Sequence, residues 1–166
     1  MLKKIVLLAF LCLPLGMMAQ EVKIAHVNTQ EVFSAMPETA AATTELDNLN
    51  QKITADLQNM QDEYSKKYTD FMQASDTLVQ SIKIRRMQEI EDLKNRIETA
   101  YQQGDQDMAK RKSELQTPII QKIQDAIKSV GDEQGYTYMM ETGAFMYISP
   151  KAIDATPLVK AKLGLK

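Results

Sequence analysis

From Glu38 to Ala74 the chain carries neither glycine nor proline, and its apolar residues fall at Leu46, Leu49, Ile53, Leu57, Met60, Tyr64, Tyr68 and Phe71. The steps are 3, 4, 4, 3, 4, 4 and 3. Three such steps make an eleven-residue repeat, about 3.67 residues per turn, which holds one apolar stripe on a nearly straight helix. A helix of that length is some 50 to 60 Å long at about 1.5 Å per residue. A single stripe of this kind calls for a second one to pack on.

The sequence supplies one. Val79, Ile82, Ile90, Leu93, Ile97, Tyr101, Met108 and Leu115 keep the same spacing if Arg86, Gly104 and Lys112 are allowed as faults. The two stripes are in phase if Ser75 is counted as one more fault, so periodicity alone also fits a single unbroken helix. Ser75, Asp76 and Thr77 favour turns and helix starts and lie midway between Pro37 and Pro118, which favours an antiparallel hairpin with its tip within about five residues of Asp76. Glycine inside a helix costs about 1 kcal/mol relative to alanine, so flexing is expected near Gly104. Pro118 removes a backbone donor and is expected to kink or restart the helix where the arm meets the rest of the protein. Gly104 and Pro118 are the two candidate hinges.

The ends of the chain read differently. Val22 to Asn28 has the length and composition of a strand, and Asn28 with Glu31 resembles a capping box opening a short helix over Thr29 to Ala35. Pro37 ends that helix and can begin the next. Beyond Pro118, Ile119, Ile123, Ile127 and Val130 continue a helix that Gly131 or Gly135 should stop. Tyr136 to Glu141 and Ala144 to Ile148, separated by Thr142 and Gly143, read as a β-hairpin closed by Ser149 and Pro150. Thr156 and Pro157 start a last helix with Leu158, Val159 and Leu163, capped by Gly164. The expected organisation is therefore α+β: a base from residues 20–37 and 118–166, with a helical arm over 38–117 inserted between its halves. Such a base is too small to cover its own apolar faces, so other subunits are expected to complete it.

Residues 1–19 are not part of that fold. Lys3 and Lys4, the apolar run from Ile5 to Leu13, then Pro14, Gly16 and Ala19 have the order of an export signal cleaved after Ala19. The run is too short to span a bilayer as a helix. Cys12, the single cysteine, lies within it, so the processed chain has no disulfide and no thiol chemistry. Removing Lys3 and Lys4 takes the formal charge from −2 to −4, which disfavours nucleic acid as a general partner.

Catalytic chemistry finds few parts. His26 is the only histidine, and the six glycines are too scattered for a phosphate loop. Carboxylates such as Asp47, Asp56, Asp62, Glu63, Glu89 and Glu98 lie off the stripes, as on a solvated helix face. No enzyme activity, cofactor or metal is expected. One cluster stands out: Lys83, Arg85 and Arg86 lie near the expected tip of an otherwise acidic chain, where they could meet anionic lipid headgroups or an acidic partner. The methionines along the arms, Met60, Met72, Met87 and Met108, are adaptable side chains suited to varied contacts, although seam packing explains most of them.

The opening Lys23-Ile24-Ala25-His26-Val27-Asn28, the stretch Ile119 to Val130 (IIQKIQDAIKSV) and the closing Tyr136 to Leu163, in this order around a long helical middle, resemble the Skp or OmpH family of periplasmic chaperones. The likeness covers essentially the whole chain after residue 19 and favours the hairpin over the unbroken helix. It implies a homotrimer in the periplasm of a Gram-negative bacterium, its base built from strands of three subunits and its arms surrounding a cavity. Unfolded outer-membrane β-barrel proteins would be held there without ATP. Basic arms are a feature of the family's best-known member, and the acidic balance here departs from that pattern, so no lipid-binding residue is carried over beyond the tip cluster. The rival reading is a structural coiled-coil adaptor of the cell envelope that docks one folded partner.

Overall fold

The computed structural model describes residues 22–165; the expected leader, with Cys12 and the cleavage point after Ala19, lies outside the described residues. The elements run β1 (Ile24–Val27), α1 (Thr29–Ala35), α2 (Pro37–Ala74), α3 (Gln80–Gln134), β2 (Tyr138–Glu141), a 3-10 turn (Thr142–Ala144), β3 (Ile153–Asp154) and α4 (Thr156–Lys162). The fold is α+β, with a long antiparallel helical hairpin inserted between the parts of a small base.

Local chemistry sets the entry to the arm. Asn28 Oδ1 accepts from the Glu31 N–H at 2.9 Å, capping α1. The reciprocal half of the expected capping box is missing, because the Glu31 carboxylate instead meets Lys160 of α4 at 2.6 Å. Pro37 opens α2 at its first turn, and Thr39 Oγ1 donates to the Phe33 carbonyl at 2.6 Å, binding the two helices end to end.

α2 and α3 pack along their stripes, and the chain reverses between Ala74 and Gln80. Thr77 helps the reversal by donating both its N–H and its hydroxyl to the Ala74 carbonyl, at 3.0 and 2.9 Å. The return stripe differs from the sequence reading in two places. Tyr101 is exposed and the seam passes through Ala100 and buried Gly104; farther on, Lys112 is exposed and Arg111 takes the seam position. With these changes an eleven-residue spacing continues without a break: Leu93, Gly104, Leu115 and Ala126 form one row, and Ile97, Met108, Ile119 and Val130 another.

Those rows run through Pro118, which lies inside α3. The proline does not restart the helix. Its missing N–H deprives one carbonyl of the preceding turn of a partner, while Thr117 Oγ1 donates to the Ser113 carbonyl at 2.7 Å. Gly135, at φ 65°, ends α3 in the left-handed conformation that glycine alone adopts without strain.

The base has a three-stranded sheet in the order β2-β1-β3, with both neighbours parallel to β1. The expected hairpin of Tyr136–Glu141 with Ala144–Ile148 is therefore incorrect. A two-residue hairpin turn needs positive φ, and Gly143 does not have it; Phe145 N–H instead closes a 3-10 turn on the Thr142 carbonyl at 3.3 Å. β2 pairs along one edge with β1, and the segment after the 3-10 turn adds no strand to its other edge. The third strand is Ile153–Asp154, held on the other side of β1 and followed by the Ala155 N–H donating to the His26 carbonyl at 2.8 Å.

One face of this sheet meets the helices. Val27, Val32, Met36, Ala42, Ile119, Ile123, Ala126, Val130 and Val159 form a single buried cluster drawn from β1, α1, the foot of both arm helices and α4. A fully buried aliphatic side chain of this kind contributes roughly 1.5–3 kcal/mol. Thr156, buried at the start of α4, accepts the Asn28 N–H through Oγ1 at 3.0 Å and so ties the C-terminal helix to the first strand.

Candidate functional surfaces

Three surfaces remain after the core is filled: the sides of the arm, its tip, and the outer face of the sheet. The arm is thin. Of its large apolar residues only Leu57 and Leu93 are buried, and Tyr68, Met72, Val79, Ile84, Met87 and Tyr101 are exposed. A two-helix seam has no third element to cover it, so its stripes are halved in exposure rather than removed from water. Tyr64 and Tyr68 stack with centroids 6.1 Å apart, and Gln61 Nε2 donates to the Tyr101 hydroxyl at 2.6 Å across the arm.

The contacts between α2 and α3 are not uniform along their length. Near the base, Lys122 Nζ meets Glu38 at 2.6 Å, and Arg111 donates to Glu45 at 2.5 Å and to Glu114 at 2.8 Å. The hydrogen bond and charge of Lys122 hold the Glu38 carboxyl below its ordinary range. Glu114 and then Glu45 raise the Arg111 guanidinium, keeping it charged. Next toward the tip, Ile53 sits directly on Gly104; a Cβ at that glycine would lie 2.8 Å from Ile53 Cγ2. Beyond this point no ion pair links the helices among the described residues, since Lys67–Glu63 and Arg85–Glu89 each stay within one helix.

At the tip the structure places Lys83, Arg85 and Arg86 in the first two turns of α3, a helix whose N-cap, Val79, makes no side-chain hydrogen bond. Cations there oppose the helix dipole, so helix stability does not explain the cluster. Arg85 pairs with Glu89 at 3.6 Å, and Arg86 borders a surface hollow together with Lys67, Asp70, Glu89 and Ile90. Lys83 has no ion pair among the described residues. Apolar Met72, Val79, Ile84 and Met87 stand exposed around the same end.

On the sheet, side chains alternate. Ala25, Val27, Met139 and Glu141 belong to one face, and Ile24, His26, Tyr138 and Met140 to the other. The second face leaves Ile24 at 47%, Tyr138 at 60% and Met140 at 42% exposure, an apolar patch on a parallel sheet, which ordinarily has both faces covered. Beside it Met146 and Tyr147 project from the segment that follows β2, while Phe145, Tyr147 and Ile148 wall a small hollow over Ile24, His26 and Ile153. His26 faces this side: its Nδ1 lies 3.1 Å from Thr142 Oγ1 and 3.9 Å from Asp154 Oδ1. Burial tends to raise the Asp154 carboxyl, but the Thr156 N–H donating to it at 2.9 Å, with nearby His26, leaves it lowered.

The hairpin reading of Tyr136–Glu141 hid this patch; the alternation of Tyr138 and Met140 was its signal. The Arg111–Glu45 link was also missed, because a stripe argument ranks only apolar residues. Among the described residues no three metal-ligating side chains gather, and no helix is long and apolar enough to cross a membrane.

Residues 23–163 match the family model described as outer membrane protein (OmpH-like). A protein named chaperone protein Skp from Yersinia enterocolitica is 29% identical over 144 residues, covering 86% of this chain and 88% of its own length. Its counterpart of the same name from Vibrio cholerae is 25% identical, with 84% and 82% covered. In three dimensions the chain is similar to the crystal structure of an OmpH-like protein from Caulobacter crescentus, with a TM-score of 0.74, 15% identity, and 84% and 82% of the two chains superposed.

Proposed function

We propose, from the premise that this chain belongs to the OmpH-like family, that it is a periplasmic chaperone of outer-membrane proteins, working as a holdase without ATP. Three copies would join through their bases, and their arms would enclose unfolded β-barrel chains before membrane insertion. Export by the leader, with cleavage after Ala19, belongs to the same reading. So does the division into a base of residues 20–37 and 118–166 and an arm of residues 38–117.

The observation that carries it is the arm itself, whose two helices are long and whose apolar stripes are only half covered. Holding an unfolded chain requires many weak apolar contacts on an adaptable surface, and exposed Tyr68, Met72, Ile84, Met87 and Tyr101 supply that chemistry. Binding of this kind lowers the free concentration of unfolded client and so slows its aggregation. The outer sheet face, with Ile24, Tyr138, Met140 and Met146, supports the trimer, since pairing with other copies would remove it from water.

The test uses several unrelated outer-membrane β-barrel proteins diluted from urea with no nucleotide present. Suppressed light scattering for all of them supports the holdase; no effect on any, with tight binding of one folded envelope protein, supports the structural adaptor. Solution mass and small-angle scattering should give a hollow trimer. At the tip, Lys83, Arg85 and Arg86 are proposed to touch anionic lipid or client. Replacing all three by alanine should weaken binding to anionic vesicles and remove its salt dependence.

A further inference from the structure

We infer that Ile53 seated on Gly104 is the register key of the arm, the contact that fixes how far α2 and α3 are slid along one another and divides a held lower arm from a free upper arm. The apolar stripes cannot set that register by themselves. Both follow the eleven-residue repeat, so sliding one helix by a single 3- or 4-residue step still places apolar residues against apolar residues.

Gly104 breaks this degeneracy. It is buried on the return helix with no side chain, and one large side chain of the outgoing helix, Ile53, fills the space. A slip by one step would bring Met108 in one direction, or Ala100 in the other, against Ile53 and move the Gly104 notch under Leu57 or Leu49. Ile53 would then face a side chain where there is now room for none, and overfilling of that kind destabilises. The contact also lies at a border. On the base side stand the ion pairs of Glu45 with Arg111 and Glu38 with Lys122, whereas on the tip side the polar link between helices is the Gln61–Tyr101 hydrogen bond. Outward movement of the upper arm then pivots on Ile53, and the helix around Gly104 stays intact.

The inference concerns the arm alone and its test needs no client. In the full chain with Cys12→Ser, diluted into unlabelled chain so that only distances within one copy are read, spin labels at Asp70→Cys and Glu98→Cys, exposed sites on the two helices that are well offset along the axis of the upper arm, report the register as a distance. The parent should give one narrow distance. Gly104→Ala should broaden it or add a population shifted by about 5 Å, one helical turn, and Ile53→Ala should broaden it as well. The double variant, Ile53→Ala with Gly104→Ala, should return toward the parent, because the added methyl occupies the space that isoleucine vacates. In parallel, amide exchange at Gly104 should be no faster than in the neighbouring turns of the parent, and should rise in Gly104→Ala. The idea is overturned if Gly104→Ala leaves the distance unchanged and slows exchange, as it does in an uncontacted helix, or if the two single effects simply add.

Discussion

The base and the arm bury their apolar residues to different depths, although the same helices contribute to both. In the base Val32 and Val159 are fully buried and Ile119, Ile123 and Val130 nearly so; in the arm the equivalent rows are mostly half exposed. The eleven-residue rows of α3 cross from one region into the other without changing their spacing. Depth of burial is therefore set by the number of elements packed on the row. At the base α1, α4 and the sheet close around it, and along the arm only one helix does.

The largest break in that contrast should come from the base. Ile123→Ala removes a buried side chain at the centre of the cluster and should cost about 2–5 kcal/mol, read as a lowered urea midpoint at fixed protein concentration. Leu93→Ala, at a site equally shielded from water but lined on fewer sides, should fall near the bottom of that range, about 2 kcal/mol. Its signature should be faster amide exchange confined to the arm. If it instead lowers the midpoint of the base as much as Ile123→Ala, the two regions melt as one unit and the contrast fails.

Smaller effects sharpen the comparison. Arg111→Ala should loosen only the lower arm, seen as faster exchange around Glu45 and Glu114, because its ion pairs are open to solvent and screened by salt. The smallest change should come from acid. Glu38 and Glu133 are held below the ordinary value of 4.5 by Lys122 and Lys162 respectively. Groups with lowered folded pKa contribute stability above the unfolded value and lose it as pH falls through the folded one. Melting temperature should thus be flat above pH 5 and decline below about 4.5, with a shallower decline in Glu38→Gln.

The arm was legible in the sequence because a repeat sustained over ten turns leaves little freedom, and Pro37, Ser75 to Thr77 and Gly135 punctuate it chemically. Its faults were harder to interpret. Gly104 reads as weakness from propensity alone, yet in the fold it is the space for Ile53, a relation between residues 51 positions apart that no local pattern contains. Spacing puts Tyr101 on the seam, whereas the seam runs through neighbouring Ala100 and Gly104 and the Tyr101 hydroxyl accepts from Gln61 at its edge. The sheet was the least legible part. Its strands are two to four residues long and pair only over long distances, so β propensity located β1 and β2 but not their partners.

Parallel pairing onto β1 also orders events in time. The central strand is the first element made, yet its hydrogen-bonding partners follow more than a hundred positions later, as with Lys23 and Thr137, separated by 114 residues, or Asn28 and Thr156, by 128. Closing loops of that size before any reward is slow, whereas the helical hairpin between them forms through local contacts. Once formed, it brings Lys23 and Thr137 to the same end of the hairpin. Refolding should then show a fast helical phase followed by a slower one in which the sheet closes. The arm is in this sense the jig on which the base is assembled.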